Sequence, residues 1–430
     1  MKSALGFLVA AKRCEIQGLE QLEVTSGLVK GVCEFVHVLQ KERGTSNVFL
    51  ASRGQRFGEQ RQTRIEASVQ MEAAVRAQFD QLDTDSGKMA SGMRLFSRIA
   101  HVLHVLDALP GLRQRIGAQK IGADEATRSF NELIAGLLGV VFEAADTAAD
   151  PLVSRALVAL FNFMQGKELA GQERAAGAAG FALGRFDTAA QQTLTHLIEG
   201  QERCFRIFSE FADPTLCQIW RNVQTLPEVA EIERMRRLAC APSPQRLEAD
   251  AADRWFDCAS ARIDAMRQVE DCATNALLSL CERKLEETRA DLHDQKHFLD
   301  SLSASTGTQG AAVAVFFDSG SAGLASGPTD GTSAVLGADG LSPQLGRSVL
   351  DLVRAQAQRL QNINEELGTA RAALHERKLV DRAKGLLMSQ RGLSEEEAYR
   401  LLRQTAMNQN RRIADVAEAT LALADFLKRD

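Results

Sequence analysis

The chain has little of what most catalytic or disulfide-stapled proteins carry. Its 430 residues include one Tyr, two Trp and eight Pro, so the apolar content comes mainly from Ala, Leu and Val, which favours helices over strands. The eight cysteines, at positions 14, 33, 204, 217, 240, 258, 272 and 281, form no CxxC and no Cys/His group with zinc spacing. They read as reduced thiols of a cytoplasmic protein without a metal site. The seven histidines are scattered, and the sequence contains no HExxH, no nucleophile elbow and no phosphate-cradling glycine loop after a strand. Nothing here points to an enzyme or to a resident cofactor. No segment offers about 18 consecutive apolar residues, which argues against a membrane span. The opening MKSALGFLVAAKR has a short apolar run but no cleavage site after it, so it reads as the start of a helix rather than a secretory leader.

What is present is helical periodicity. From about Glu15 to Asp300 one amphipathic pattern follows another, with no sustained period-two alternation. Breaks are expected at 54–58, 84–87, 109–111 (LPG), 122–124, Asp150-Pro151, Asp213-Pro214, Pro227 and 241–244 (APSP). Connections this short imply antiparallel helices packed as bundles. At Ser301 the composition shifts to Ser, Gly, Ala and Thr as far as Pro343, without Lys or Arg, the signature of a flexible linker. The apolar run Ala311 to Phe317 inside it has no evident role. Beyond it Val353, Leu360, Leu367 and Leu374 recur every seven residues, enough for a weak coiled coil and hence a homodimer. The expected architecture is all-α: a large antiparallel helical-bundle sensor (1–300), a linker (301–343), and a coiled-coil helix leading into a small three-helix bundle (344–430).

The last 60 residues divide into three helices. The first stops at Gly392, placed for a left-handed C-cap. The second opens on a Ser394/Glu397 capping box, and the third begins at Ile413. The net charge of the whole chain is −5, yet between Arg371 and Asp415 basic residues outnumber acidic ones by ten to six. That local excess is the footprint of a nucleic-acid binder, although a basic helix is more often a solvated face. With one aromatic, Tyr399, the module lacks the stacking platform of a sheet-based RNA binder.

The run RAKGLLMSQRGLSEEEAYRLLRQTAMNQNRRIADVA resembles the ANTAR domain, a three-helix RNA-binding module of bacterial antiterminators, over roughly residues 370–428. The resemblance implies binding to paired stem-loops in a leader RNA, which prevents a terminator hairpin from forming. It also implies RNA-facing roles for Arg377, Lys384, Gly385, Met388, Arg403, Met407 and Arg411.

In the large region, LQKERGTSNVFLASRG (Leu39 to Gly54) has an imperfect echo in GKELAGQERAAGAAGFALGRF (Gly166 to Phe186). Both set Glu-Arg beside small residues. An interior Gly costs a helix about 1 kcal/mol relative to Ala, so such clusters suggest close approach of another helix or a ligand. On spacing alone, surface pairing of Arg43 and Arg174 with Glu42, Glu168 or Glu173 is the leading explanation. These two stretches, with WFDCASARIDAMRQVE at 255–270, resemble the NIT domain, a helical nitrate- and nitrite-sensing domain, over roughly residues 20–290. The resemblance implies an anion clamp containing Arg43 and Arg174, with Arg236, chosen over Arg237, as the third member; Arg262 is assigned to helix packing. Planar guanidinium forks suit a planar anion with three acceptor oxygens. A NIT domain followed by ANTAR implies nitrate- or nitrite-responsive antitermination. The alternative is an ANTAR regulator controlled by another small ligand or by a partner protein.

Overall fold

The computed structural model describes residues 4–82, 92–148, 150–241, 250–305, 343–393 and 395–427. Within them lie twelve helices and no strand. Two compact units divide the chain, with boundaries after Gln21, Cys281 and Glu365. The smaller joins the chain before Leu22 to Glu282–Glu365, and in it Arg289 bonds Glu20 at 2.7 Å. The larger holds everything else, including the C-terminal module from Glu366 onward.

In the larger unit run most of α1 (Ala4–Ala51), then α2 (Gly58–Asp80), α3 (Gly92–Gly117), α4 (Ala123–Thr147), α5 (Pro151–Ala182) and α6 (Thr188–Phe211). Next come α7 (Pro214–Gln224), α8 (Pro227–Ala239) and the first half of α9 (Ala251–Ser305). Aspartates start three of these helices. Asp150 accepts from the N–H groups of Leu152 and Val153 at 2.9 and 3.1 Å, Asp187 caps α6, and Asp213 caps α7 in the same way. Proline follows the cap in α5 and α7 and opens α8, where its missing N–H costs nothing. Helix α5 packs against α4, α6 and α8 and buries Val153, Leu157, Leu160, Phe163 and Met164. Its burial on nearly every side makes it the axis of the sensor.

One expected break is absent: α3 runs straight through Leu109 to Gly111 with Pro110 inside it. The proline forfeits one backbone hydrogen bond, but Leu106, Leu109 and Leu112 are all buried around it and hold the helix together. Conversely, α5 and α6 are separated at 183–187, where Gly184 takes φ +69 and Asp187 begins the next helix; no break was expected there. The expected breaks at 84–87 and most of 241–244, the linker from 306 to 342 with its Ala311 to Phe317 run, and Ser394 lie outside the described residues.

The C-terminal module consists of α10 (Pro343–Arg391), α11 (Glu395–Asn408) and α12 (Ile413–Leu427). Ala383, Leu387, Ala398, Leu402, Ala406, Val416 and Ala417 form its core. Gly392 adopts φ +65 and its N–H bonds the Met388 carbonyl at 3.0 Å, the left-handed cap its position called for. Of the heptad leucines, Leu367 and Leu374 are buried within the chain's own larger unit.

The small residues of α5 have a packing cause. A Cβ built on Gly166 would stand 2.5 Å from the Phe205 ring, on Gly177 2.2 Å from Trp255, and on Gly180 2.1 Å from Phe186. Aromatic rings from α6, α9 and the α5–α6 turn press onto the α5 backbone at these points. Gly177→Ala should therefore destabilise by about 1–3 kcal/mol despite its gain in helix propensity. Gly27→Ala in α1, where nothing lies within 4 Å, should stabilise by about 0.5–1 kcal/mol; urea unfolding of both variants checks the contrast.

Candidate anion site and RNA-facing surface

Two guanidinium clusters flank α5, each organised by one of its glutamates. In the first, Arg43 of α1 is buried and places both terminal nitrogens on Glu168, Nη1 at 2.5 Å and Nη2 at 3.1 Å. Nη1 also meets Asn131 of α4. Gln40 and Gln172 donate to the same carboxylate at 2.7 and 2.8 Å. The pairing partner is thus one of the three glutamates expected, but the pair is interior rather than on the surface. Glu42, next in sequence, turns to Arg113 at 2.8 and 2.9 Å.

Arg174 approaches the same place from α5. Its Nη2 lies 3.5 Å from a Cβ built on Gly44, while Arg43 Nη2 lies 3.1 Å from one built on Gly171. Gly171 makes room for the Arg43 guanidinium, whereas at Gly44 a Cβ would meet Arg174 at an ordinary contact distance. Arg174 donates to Ser260 Oγ at 3.0 Å, and its guanidinium carbon stands 5.1 Å from the Phe256 ring centroid. Among the described residues it has no carboxylate within ion-pair distance. Burial, followed by the charge of Arg43, holds its pKa below the ordinary arginine value. Asp264 and Glu168 act on this guanidinium from longer range without offsetting its burial and the charge of Arg43.

The second cluster centres on Glu173. Arg236 of α8 grips it through Nε and Nη2, both at 2.6 Å, and reaches Glu233 at 2.5 Å. Arg262 of α9 stands beside it, 3.5 Å from Glu173 and 3.0 Å from Gln201 Oε1. Burial and the neighbouring Arg236 bring the Arg262 pKa down to about 10. Burial works against the Glu173 carboxylate, but the hydrogen bonds and charge of Arg236, the charge of Arg262 and the Gln201 hydrogen bond together outweigh it and hold the pKa below the usual range. The structure therefore sets Arg43 with Arg174 and, separately, Arg236 with Arg262; of the two pairs only the second lines the cavity of about 480 Å³ that also includes Gln201 and Glu233. Arg53, on the α1–α2 turn, is exposed with φ +53.

The seven residues of the RNA-facing set divide. Gly385, Met388, Met407 and Arg411 are exposed. Lys384 is tied within the module to Asp381 and Glu395, both at 2.8 Å; burial opposes its charge, but these carboxylates keep its pKa above the ordinary value. Arg377 stacks 4.8 Å over Phe161 of α5, and Arg403 bonds Glu199 of α6. Around them Lys378 bonds Asp146 at 2.6 Å and Arg400 bonds Gln192 at 3.0 Å. Tyr399 lies edge-on to His196 with Arg203 4.7 Å over its ring. Part of the basic face is thus docked on the sensor.

Sequence reasoning missed Asn131 and Ser260 as partners, and Glu199 as a docking residue. No local pattern marks a side chain whose partner comes from another helix. No helix of the described residues is long and apolar enough to cross a membrane.

Helices that hold two guanidinium clusters in their interior, joined to a small module with a basic face, define an anion-responsive regulator. Comparison with known proteins gives the class a family. Residues 34–278 match the family described as nitrate and nitrite sensing, and residues 368–421 match the ANTAR domain. The Nitrate regulatory protein of Klebsiella oxytoca is 34% identical over 415 residues, spanning 96% of this chain and 93% of that one. The solved structure of the NasR transcription antiterminator matches with a TM-score of 0.59 at 32% identity, covering 98% of each chain. The chain belongs to the nitrate- and nitrite-sensing (NIT) family and carries an ANTAR domain behind its sensor.

Glu173 is the counter-charge of the second cluster. Glu173→Gln would leave Arg236 and Arg262 facing each other in the interior, at a cost of about 3–5 kcal/mol in urea unfolding. Glu233→Gln, which removes a half-exposed partner of Arg236, should cost less than about 1 kcal/mol. Because the folded pKa of Glu173 is lowered, its contribution is present above the unfolded carboxylate pKa and is lost as pH falls through the folded value. The Glu173→Gln deficit should shrink accordingly in acid.

Proposed function

We propose that this chain is a nitrate-responsive transcription antitermination regulator, a binding protein rather than an enzyme, in which the anion binds between Arg43 and Arg174. The observation that carries this reading is the pair of guanidinium groups meeting across Gly44 and Gly171, one of them without a carboxylate. A planar monoanion placed there accepts from the Arg174 fork, draws on Arg43 from the side, and relieves the repulsion between the two cations. Arg236 supports the site through Glu173, the residue before Arg174.

The effect reaches the module through α6. A Cβ on Gly200 would stand 2.9 Å from Leu169 Cδ1, so the backbone beside Glu199 packs on the side chain beside Glu168. Movement of α5 at the anion site displaces Glu199, and with it the contact to Arg403. In the anion-free state the docked module has Arg377 and Arg403 engaged by the sensor; with anion bound they join Lys384, Gly385, Met388, Met407 and Arg411 on paired stem-loops of a leader RNA. A second copy of the chain presents the second module to the second stem-loop. The work takes place in the cytoplasm, where both RNA and anion are available.

Binding of a labelled RNA with two stem-loops to the full chain, titrated with sodium nitrate against sodium chloride, tests the reading. Nitrate should tighten RNA binding in the parent chain. Arg43→Ala and Arg174→Ala should abolish that response, and Arg43→Lys, which keeps charge but loses the fork, should weaken nitrate binding at least tenfold, a loss of about 1.4 kcal/mol. Full nitrate response in Arg43→Ala would remove the site assignment. Absence of calorimetric heat with nitrate and nitrite would favour control by another ligand or a partner protein. Glu199→Ala should raise RNA affinity in the absence of nitrate and, because the coupling is reciprocal, tighten nitrate binding as well.

A further inference from the structure

Three side chains of α9, one turn apart, act on Arg174. Phe256, Ser260 and Asp264 follow at intervals of four residues, which sets them in line along one side of the helix. Trp255, Ala259 and Arg262 beside them are buried, so this stripe borders the packed face of α9. Trp255 fixes its register on α5. A Cβ built on Gly177 would stand 2.2 Å from the indole ring, and the indole N–H donates to the Arg174 carbonyl at 3.0 Å. The residue that carries the guanidinium is thus bonded through its own backbone to the helix that faces its side chain.

Ser260 accepts from Arg174 Nη1 at 3.0 Å and so holds the guanidinium against α9. There Phe256 places its ring centroid 5.1 Å from the guanidinium carbon while remaining 39% exposed. Packing alone gives little reason for a phenylalanine at this position: much of its apolar surface stays in water, and alanine is the better helix former. What the ring does cover is a guanidinium that has no carboxylate within ion-pair distance among the described residues. Asp264, one turn further on, acts on Arg174 only from longer range. On the other side Arg174 Nη2 lies 3.5 Å from a Cβ built on Gly44 of α1. An anion on this fork has α1 on one side and the Phe256 ring on the other.

An anion beside an aromatic wall exchanges part of its water for apolar surface, and the cost rises with the strength of its hydration. Nitrate spreads one charge over three oxygens and gives up water more readily than chloride, in which the whole charge sits on one atom. Both are monoanions, so Asp264 repels them alike. The geometry points to Phe256 as a selectivity residue of the anion site: its ring covers the anion held by Arg174 and so favours weakly hydrated oxyanions over chloride. The inference rests on the reading of Arg174 as the anion-binding fork and adds which anions that fork prefers.

Calorimetric titration of the full chain with sodium nitrate and with sodium chloride, in a buffer holding neither anion, gives the two affinities and their ratio. The parent chain should prefer nitrate. Phe256→Ala should lower the nitrate-over-chloride ratio by about three- to tenfold, whereas Phe256→Leu, which keeps an apolar cover, should retain most of the preference. Leu183→Ala, which trims an exposed apolar side chain just after α5, should leave the ratio at the parent value. Equal loss of both affinities in Phe256→Ala would make the ring a prop for Arg174 rather than a cover for the anion, and would overturn the proposal. An unchanged ratio would also overturn it, as would a Leu variant no more selective than the Ala one, or a parent chain that binds chloride as tightly as nitrate. If the parent gives no heat with nitrate, or Arg174→Ala binds nitrate as the parent does, the reading of the fork fails and the inference falls with it.

Discussion

The sensor depends on two carboxylates buried along one helix. Glu168 and Glu173 stand in the interior of α5, where an uncompensated charge costs several kcal/mol. Each is therefore held by guanidinium groups from other helices: Glu168 by Arg43 of α1, Glu173 by Arg236 of α8 with Arg262 of α9 close by. Amides of Gln40, Gln172 and Gln201 take up the remaining acceptor capacity. Such pairs add little net stability compared with well-packed apolar residues, but breaking one is costly. They fix α1, α8 and α9 in register against α5, and they make the interior responsive to any added negative charge.

That responsiveness matters only if the module is held loosely enough to be moved. Its polar contacts with the sensor include two of the weak kind, Arg403 with Glu199 and Arg400 with Gln192, and a more enclosed pair, Lys378 with Asp146, beside the Arg377 stack on Phe161. Exposed pairs contribute about 0–1 kcal/mol each, so the docking totals a few kcal/mol. Moving a population from 1:99 to 99:1 requires about 5.5 kcal/mol of differential binding. An anion with several charge-assisted hydrogen bonds, each worth about 1.5–3 kcal/mol, is on that scale. A tightly packed apolar interface would not be.

Much of the fold was legible because its signals are local. Asp-Pro pairs at 150 and 213 mark helix starts through the cap and the missing N–H, and Gly392 marks a helix end through its positive φ. Pro110 was misleading because a local rule met a tertiary one: the leucines around it are buried strongly enough to carry the helix across the missing bond. The glycines of α5 show the limit more sharply. Gly166, Gly177 and Gly180 make room for aromatic rings, whereas Gly171 faces a guanidinium. The sequence signal is the same in each case, and only the neighbouring helix tells them apart. The Arg43 partner was among the candidates, but its burial was not legible, since exposure of an ion pair is set by elements more than a hundred residues away.

The two arginines of the first cluster are not equivalent, and the difference directs how an anion would enter. Arg43 already has both terminal nitrogens on the Glu168 carboxylate, whose two oxygens fill its fork much as two oxygens of nitrate would. Displacing Glu168 would leave a buried carboxylate beside an added anion, a penalty of several kcal/mol against a gain of similar size. Arg174 has only a hydroxyl and a ring, so its fork is the accessible one. An anion that binds Arg174 first and then draws on Arg43 from the side adds negative charge where it is lacking without stranding Glu168. On the proposed reading the added charge would draw α5 toward α1 beside Gly171, where a Cβ would stand only 3.1 Å from Arg43 Nη2.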